Sequence, residues 1–152
     1  MNAIGIICEY NPFHLGHARM LEGLRRQYDA PLVCAMSGNF VQRGDAAVAH
    51  KHARAEMAVR CGADLVLELP TPWAMASAER FAAGGVELLT STGVVSHLVF
   101  GSECGDLTAL QAAEAALSQP ELMPRIRQLL AQGMAYAPAR QQAGEELGAP
   151  PQ

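Results

Sequence analysis

The sequence has little charge, few aromatic residues and no long hydrophobic run. Charged residues make up 17% and aromatic residues 5% of its 152 residues, while hydrophobic residues make up 50%. This composition excludes a disordered chain, a collagen-like repeat and a coiled coil. No segment approaches the ~18 apolar residues of a membrane helix, and the N-terminus lacks a basic region ahead of an apolar stretch. We therefore expect a cytoplasmic globular protein with one hydrophobic core and no membrane contact.

Two further absences narrow the classes of function. The cysteines, at positions 8, 34, 61 and 104, are widely spaced without a C-x-x-C pair, so neither a disulfide framework nor a metal site made by protein side chains is indicated. A basic excess is also missing, because 11 Lys and Arg residues stand against 15 Asp and Glu residues, for a formal net charge of −4. Nucleic-acid-binding proteins usually carry such an excess. Any contact with RNA therefore has to be local.

Short apolar runs bounded by turn residues alternate with stretches of helical period. This alternation is typical of βαβ units and predicts an α/β fold, a Rossmann-like parallel sheet with flanking helices. The predicted strands are Ala3–Cys8, Leu32–Met36, Asp64–Leu69 and His97–Phe100. The predicted helices run from about Leu15 to Tyr28, Ala49 to Cys61, Met75 to Leu89 with a disturbance at Gly84-Gly85, Leu107 to Leu117, and Leu122 to Ala131.

The C-terminal stretch has a different composition from the rest. From Gly133 onward the chain is rich in Ala, Gln, Gly and Pro and shows no apolar period that could pack on a core. We therefore expect residues 1–132 to form the domain and residues 133–152 to be a linker or a disordered tail.

The turn after the first predicted strand contains the motif H-x-G-H, from His14 to His17, at the start of a predicted helix. The free N–H groups and the dipole of a helix N-terminus favour an anion, and Gly16 leaves room for its close approach. His14 and His17 lie on one helix face, so each imidazole can donate to a phosphate oxygen. The motif alone is weak, and two capping or surface histidines are the alternative. Its place at the first β-to-α turn favours the phosphate site.

The loop after the second predicted strand is long and polar, from Ser37 to Gly44 with the sequence SGNFVQRG. A solvated connection is one interpretation of it. However, loops at the carboxyl ends of strands accumulate substrate contacts, and Arg43 could bind a carboxylate or a phosphate through two donors.

Basic residues also cluster near the start of the next predicted helix, where Lys51 and Arg54 lie. Cations oppose the helix dipole at this end. Pairing of Lys51 with Asp45 or Glu56 is a plain explanation for its presence. The alternative hypothesis is that Lys51 and Arg54 contact a phosphate, either pyrophosphate or the backbone of an RNA.

Taken together, these segments resemble the bacterial tRNA(Met) cytidine acetate ligase family of the H-x-G-H nucleotidylyltransferase superfamily. They occur in the family's order, and the resemblance covers nearly all of the chain from Ala3 to about Arg140. The segments that carry it are GIICEYNPFHLGH (Gly5–His17), MSGNFVQRG (Met36–Gly44), RAEMA (Arg54–Ala58), ADLVLELP (Ala63–Pro70), SAERFAAGGVELL (Ser77–Leu89) and VFGSE (Val99–Glu103).

The resemblance implies an ATP-dependent carbon–nitrogen ligase that activates acetate as acetyl-adenylate. The acetyl group then passes to N4 of the wobble cytidine of elongator tRNA(Met), with ATP as a substrate accompanied by Mg²⁺. We expect His14, His17 and Arg43 to act in catalysis, with Arg43 on the acetate or pyrophosphate side. The ATP-binding residues that the resemblance implies are Ile7, Cys8, Glu9, Tyr10, Asn11, Pro12, Phe13, His14, Leu15, Gly16, His17, Ala18, Arg19, Met20 and Gly101.

Family members are more than twice as long as this chain. The resemblance therefore implies an N-terminal portion, truncated at the C-terminus, with further ATP contacts and most of the tRNA-binding surface in a part that is missing here. Two alternatives stay open. One is an adenylyltransferase for a small-molecule substrate, which the acidic balance suits, and the other is a nucleotide-binding module without turnover.

Overall fold

The computed structural model describes residues 2–102 and 105–150. The chain divides into two compact units, one reaching to Phe100 and the other starting at Gly101. The elements of the first unit are β1 (Ala3–Cys8), α1 (Leu15–Gln27), β2 (Leu32–Ser37), α2 (Lys51–Arg60), β3 (Leu65–Leu69), α3 (Thr71–Ala74), α4 (Ala78–Ser91) and β4 (Val95–Leu98), with a 3-10 turn at Gln42–Gly44. The elements of the second unit are α5 (Leu107–Leu117), α6 (Leu122–Ala131) and α7 (Tyr136–Glu146).

The four strands form one parallel sheet in the order β3-β2-β1-β4. This arrangement confirms the predicted Rossmann-like fold. The chain adds strands on one side of β1 and then returns to add β4 on the other side, so the order reverses beside β1. In open α/β sheets, ligands bind beyond the carboxyl ends of the strands at such a reversal. The turn after β1 therefore occupies the position where a ligand site is expected.

The sheet is covered on both faces, which explains why its central strands are apolar almost throughout. Side chains of β1 alternate, so that Ile4 and Ile6 pack on one face with Leu21 of α1, while Ala3 packs on the other face with Leu89 of α4. Such two-sided burial is usual for parallel strands. Helices α1 and α2 thus cover one face, and α3 and α4 cover the other.

The glycine pair in α4 does not disturb the helix, contrary to the sequence prediction. Helix α4 runs unbroken through Gly84 and Gly85, both of which are buried. A Cβ at Gly85 would lie 2.7 Å from the side chain of Ile7, and one at Gly84 would lie 2.6 Å from Trp73. The two glycines therefore allow α4 to approach the sheet and α3 closely.

The second unit differs from the expectation of a linker or disordered tail after residue 132. Helix α7 buries Ala139 and Ala143 in a cluster with residues of α6, among them Ile126 and Leu129. Because α7 contributes mainly alanine to this cluster, its sequence shows no period of large apolar residues. The boundary between the units also falls between residues 100 and 101 rather than at residue 132.

Across the described part of the chain, no helix has both the length and the apolar character needed to cross a membrane.

Candidate functional site

The loops at the carboxyl ends of β1 and β2 contain most of the residues singled out from the sequence. The segment of residues 9–17, which joins β1 to α1 and includes the first residues of α1, is called the β1–α1 turn below, and it contains His14 and His17. Arg43 lies in the β2–α2 loop, and Lys51 and Arg54 lie on α2. Parallel strands bring their carboxyl ends to one edge of the sheet. The two loops are therefore neighbours at the edge where β1 ends.

In the β1–α1 turn, the two motif histidines cap the helix reciprocally. The backbone N–H of Gly16 donates to Nδ1 of His14 at 3.1 Å, and the backbone N–H of His14 donates to Nδ1 of His17 at 3.3 Å. A neutral imidazole that accepts at Nδ1 carries its proton at Nε2. Each ring accepts in the cap through Nδ1 and keeps its Nε2–H as a donor, so a capping role and a phosphate-binding role are compatible.

Aromatic rings of the same turn pack against the two histidines. The His14 and His17 rings stack with centroids 3.6 Å apart, and the ring of Tyr10 lies 4.8 Å from that of His17. Tyr10 is fully buried. Burial lowers the pKa of His17, and the neighbouring His14 lowers it further. His17 is therefore neutral at pH 7, which is the state that the cap requires.

Gly16 is needed for this geometry. A Cβ at this position would lie 2.9 Å from Cε1 of His14, so any other residue would push the His14 ring out of its place in the cap. The glycine of H-x-G-H thus permits both the position of the ring and a close approach to the backbone.

Other side chains of the β1–α1 turn connect it to the β2–α2 loop. The Glu9 carboxylate accepts from the backbone N–H of Gln42 at 2.9 Å, and the Asn11 side chain accepts from that of Val48 at 2.7 Å. Glu9 and Asn11 therefore fix the two loops against each other.

Arg54 is fully buried, with 0% of its surface exposed. Its Nε donates to the carbonyl of Ala49 at 3.0 Å, while its two terminal nitrogens donate to the carbonyls of Glu9 and Gly38. Burial lowers the pKa of this guanidinium. The hypothesis that Arg54 contacts a phosphate or an RNA is wrong, because its donors face backbone carbonyls in the interior. Arg54 instead joins the ends of β1 and β2.

Lys51 lies at the first position of α2, and its ammonium donates to the Glu68 carboxylate at 2.6 Å. The plain explanation that pairs it with Asp45 or Glu56 is therefore wrong. Glu56 instead pairs with Arg60 at 2.6 Å. From its place on the third predicted strand, Glu68 is expected either to support the site or to form an interior ion pair. It forms an ion pair, and that pair is partly exposed.

Arg43 is exposed and lies in a tight turn. Its φ is +66° and that of Gly44 is +87°. The left-handed region is uncommon for a residue with a side chain. The turn is closed by a hydrogen bond from the N–H of Gly44 to the carbonyl of Val41 at 3.1 Å. The Arg43 side chain is exposed to solvent. Arg43 follows Gln42, whose backbone N–H donates to Glu9 of the β1–α1 turn.

Gly101 opens the second unit and is exposed. A Cβ there would have no heavy atom within 4 Å, so packing within the protein does not demand a glycine at this position. Glu103, the last residue of the predicted GSE turn, lies outside the described residues. Within residues 2–102 and 105–150, no three His, Cys, Asp or Glu side chains come together in a way that could hold a metal ion.

The sequence of the chain is similar to a known protein family and to curated relatives. The profile of the family described as HIGH Nucleotidyl Transferase matches residues 1–150. A tRNA(Met) cytidine acetate ligase from Syntrophotalea carbinolica is 50% identical over 150 residues, which are 97% of this chain and 36% of the relative. The enzyme of that name from Acetivibrio thermocellus is 46% identical over 146 residues, 94% of this chain and 35% of the relative. The chain thus spans about a third of the length of these curated relatives.

A solved structure agrees with these relatives. The crystal structure of Thermotoga maritima TmcAL bound with alpha-thio ATP superposes with a TM-score of 0.82 at 39% sequence identity. The match covers 97% of this chain and 39% of the Thermotoga protein. The fold and the order of its elements are therefore shared with a protein that holds an ATP analogue.

Proposed function

Because this chain belongs to the HIGH nucleotidyl transferase family, we propose that it forms the ATP-binding part of an ATP-dependent ligase that acetylates the wobble cytidine of elongator tRNA(Met). The observation that supports this most directly is the reciprocal cap of the H-x-G-H histidines. It leaves the Nε2–H donors of His14 and His17 at the N-terminus of α1, where free backbone N–H groups and the helix dipole also favour an anion.

In the first step, an acetate oxygen attacks the α-phosphorus of ATP, the bond to the β-phosphate oxygen breaks, and pyrophosphate leaves. Acetate is already ionised at neutral pH, so this step needs no general base. Catalysis then depends on positioning and on stabilising charge on the phosphate oxygens. We assign that role to His14 and His17, with the acetate or pyrophosphate side assigned to Arg43. Mg²⁺ would enter with the ATP phosphates.

In the second step, the cytidine N4 amine attacks the acetyl carbon of acetyl-adenylate. The bond from carbon to the AMP oxygen breaks, and N4 loses a proton. The amine is a weak nucleophile and the mixed anhydride is sensitive to water, so placement and exclusion of water matter most. Recognition of the tRNA is proposed for the part of the relatives' length that this chain does not span, in keeping with the acidic balance of this chain. A location in the cytoplasm is part of the same proposal.

The residues proposed to contact ATP are those of the stretch Ile7–Met20, together with Gly101. The structure gives several of these residues a second task, because Glu9 and Asn11 hold the adjacent loop and Tyr10 supports the histidine rings. We propose that the backbone N–H groups and the imidazoles contact the phosphates. The remaining residues of the stretch then shape the site around them.

The test is ATP–pyrophosphate exchange with and without acetate. The proposal expects exchange that depends on acetate, since reversal of the first step requires acetyl-adenylate. Exchange that ignores acetate but needs another small molecule would support a different adenylyltransferase. Binding of ATP without any exchange would support a nucleotide-binding module.

A further inference from the structure

Residues 39–47 of the β2–α2 loop form a small antiparallel ribbon with Arg43 and Gly44 at its tip. Phe40 pairs with Ala46 across this ribbon, and backbone hydrogen bonds of 2.9 Å lie on either side of the pair. Residues directly opposite each other on antiparallel strands share a face. Both residues are exposed, and Phe40 keeps 45% of its surface accessible. The ribbon therefore presents an aromatic ring to solvent, with a small side chain beside it.

The ribbon is fixed to the β1–α1 turn through both of its strands. On the first strand, the Glu9 carboxylate accepts from the N–H of Gln42, two residues after Phe40. Next to the second strand, the Asn11 side chain accepts from the N–H of Val48. Two residues of extended chain span about 7 Å. The Phe40 ring therefore lies within reach of the turn to which the ATP phosphates are assigned.

Phe40 differs from the two other exposed aromatic residues that follow strands of the sheet. Trp73 packs against α4, where a Cβ at Gly84 would lie 2.6 Å from it. Phe100 adjoins Gly101, which is among the residues proposed to contact ATP. Within the described part of the chain, the Phe40 ring contacts no other aromatic ring and joins no buried apolar cluster. Packing against these residues therefore does not explain the aromatic ring at position 40.

The charges around the ribbon oppose a polyanion less than the balance of the whole chain does. Cations and acids on and beside the ribbon are equal in number, with Arg43, Lys51 and Arg54 against Glu9, Asp45 and Glu68. Two exposed histidines follow at positions 50 and 52. The chain as a whole has a formal net charge of −4. RNA phosphates are therefore repelled less here than by the chain on average.

We propose that Phe40 is the stacking platform for the RNA base that receives the acetyl group. Sequence-specific proteins and base-modifying enzymes splay single-stranded bases out of their stack and place them on aromatic rings. Stacking uses the face of the base and leaves its edge free, and the N4 amine of cytosine lies on that edge. A cytosine on Phe40 can therefore direct N4 to the β1–α1 turn. The inference rests on the proposed function and names a residue that positions its RNA substrate.

A platform of this kind positions a base without selecting it. Every base has a π face, so stacking on an aromatic ring tolerates any sequence. Selection of the wobble cytidine then belongs to contacts elsewhere, in keeping with tRNA recognition by the part of the relatives' length that this chain does not span. Phe40 is accordingly a positioning residue, and single-stranded RNA of cytidines or of uridines should bind to it with similar affinity.

Stacking can be measured on the chain by NMR of phenylalanine and tyrosine rings labelled with ¹³C. Titration with a single-stranded RNA of seven cytidines should move the Phe40 signals to higher field in a saturable way, because a stacked base adds its ring current. An abasic ribose-phosphate chain of the same length carries the same charge and should not move them. Tyr136, which is 56% exposed in the second unit, reports non-specific stacking. A Phe40 shift no larger than that of Tyr136, or one that the abasic chain reproduces, would overturn the proposal.

Variants at position 40 separate stacking from support of the ribbon. Phe40→Leu keeps an apolar side chain and removes the ring, so it should raise the dissociation constant for the RNA roughly tenfold. Phe40→Tyr keeps the ring and should retain the affinity of the parent chain. The amide signal of Ala46, opposite position 40, follows binding in each variant. Neither change should move the urea midpoint, since the ring belongs to no buried cluster of the described residues.

Tyr136→Leu is the matched control, because it removes a similarly exposed ring from the second unit. It should leave the dissociation constant unchanged. Equal weakening by Phe40→Leu and Phe40→Tyr would overturn the proposal, since the ring would then not be the group that binds. Acetate-dependent exchange without a base-dependent Phe40 shift would overturn the platform and leave the proposed function standing. A base-dependent shift without exchange would overturn the proposed function and leave the stacking site standing.

Discussion

The β1–α1 turn and the β2–α2 loop lie side by side at one edge of the sheet, yet they are built differently. In the β1–α1 turn, the candidate catalytic groups also stabilise the local structure. His14 and His17 cap the helix with the same rings that are proposed to bind phosphate. In the β2–α2 loop and the start of α2, support and proposed binding are divided between different residues. A buried Arg54 holds the loop, while Arg43 and Phe40 are exposed.

This difference has a consequence for substitution. A change in the β1–α1 turn should affect stability and activity together unless the replacement retains the cap. A change in the β2–α2 loop should affect one or the other, according to which residue is replaced.

The largest effect is expected at Arg54. Arg54→Ala leaves three backbone carbonyls without their donor and opens a cavity, so it should lower the free energy of unfolding by about 3–5 kcal/mol. Urea unfolding at constant m-value measures it. Arg60→Ala is the control, because it removes an exposed arginine paired with Glu56 and should change stability by only about 0.5 kcal/mol. A loss below about 1 kcal/mol at Arg54 would mean that the two loops do not depend on it.

The next largest effect separates the two tasks of His14. His14→Ser retains an N-cap side chain and should change stability little, whereas His14→Ala should cost about 1 kcal/mol. Both variants lack the imidazole and should lower acetate-dependent exchange by roughly 10²–10³-fold, the usual effect of losing one donor to developing charge. If His14→Ser restored exchange to the wild-type rate, the histidine would be a cap and nothing more.

A smaller effect is expected at Arg43. Arg43→Gly should lower exchange by about tenfold, because it removes a charge-assisted contact. Glycine tolerates the positive φ of this position, so the urea midpoint should stay the same or rise. If Arg43→Gly destabilises the fold as strongly as His14→Ala does, stability and activity are not separated between residues of the β2–α2 loop.

The smallest effect concerns pH. The pKa of His17 is lowered in the folded state by burial and by His14. The unfolded state therefore binds more protons near pH 6, so stability falls as the pH drops below the ordinary value of ~6.5 and is fully present above it. In His14→Ser, NMR titration should place the His17 pKa higher than in the parent chain. An unchanged His17 titration would show that His14 does not lower the pKa of His17.

The sequence predicted the fold well because the strands are short apolar runs and most helices have a clear apolar period. The four strands and the parallel arrangement are confirmed, although β4 lies two residues earlier than the predicted His97–Phe100, and helices α5 and α6 have the predicted bounds. Helix α7 could not be predicted from the same signal, since it buries alanines. The glycine pair of α4 indicated a break in the helix. The physical reason for the two glycines is instead the close packing of α4 against Ile7 and Trp73.

For the candidate site, the sequence singled out two loops that the structure places at one edge of the sheet, and it misread Arg54 of the following helix. Arg54 lies in a basic stretch that predicts a solvated helix face, and only the three-dimensional fold shows that its guanidinium meets carbonyls from distant parts of the chain. The Lys51–Glu68 pair joins residues 17 positions apart on different elements, so local spacing could not reveal it.

The central claim is that the β1–α1 turn binds the phosphates of ATP, and backbone amide NMR tests it most directly. Titration of the chain with ATP should shift the amide signals of Gly16 and His17 most strongly, with larger effects than adenosine produces. The same titration of His14→Ser should show much weaker binding with an intact fold. Shifts that spare the turn, or that are as large with adenosine as with ATP, would contradict the account.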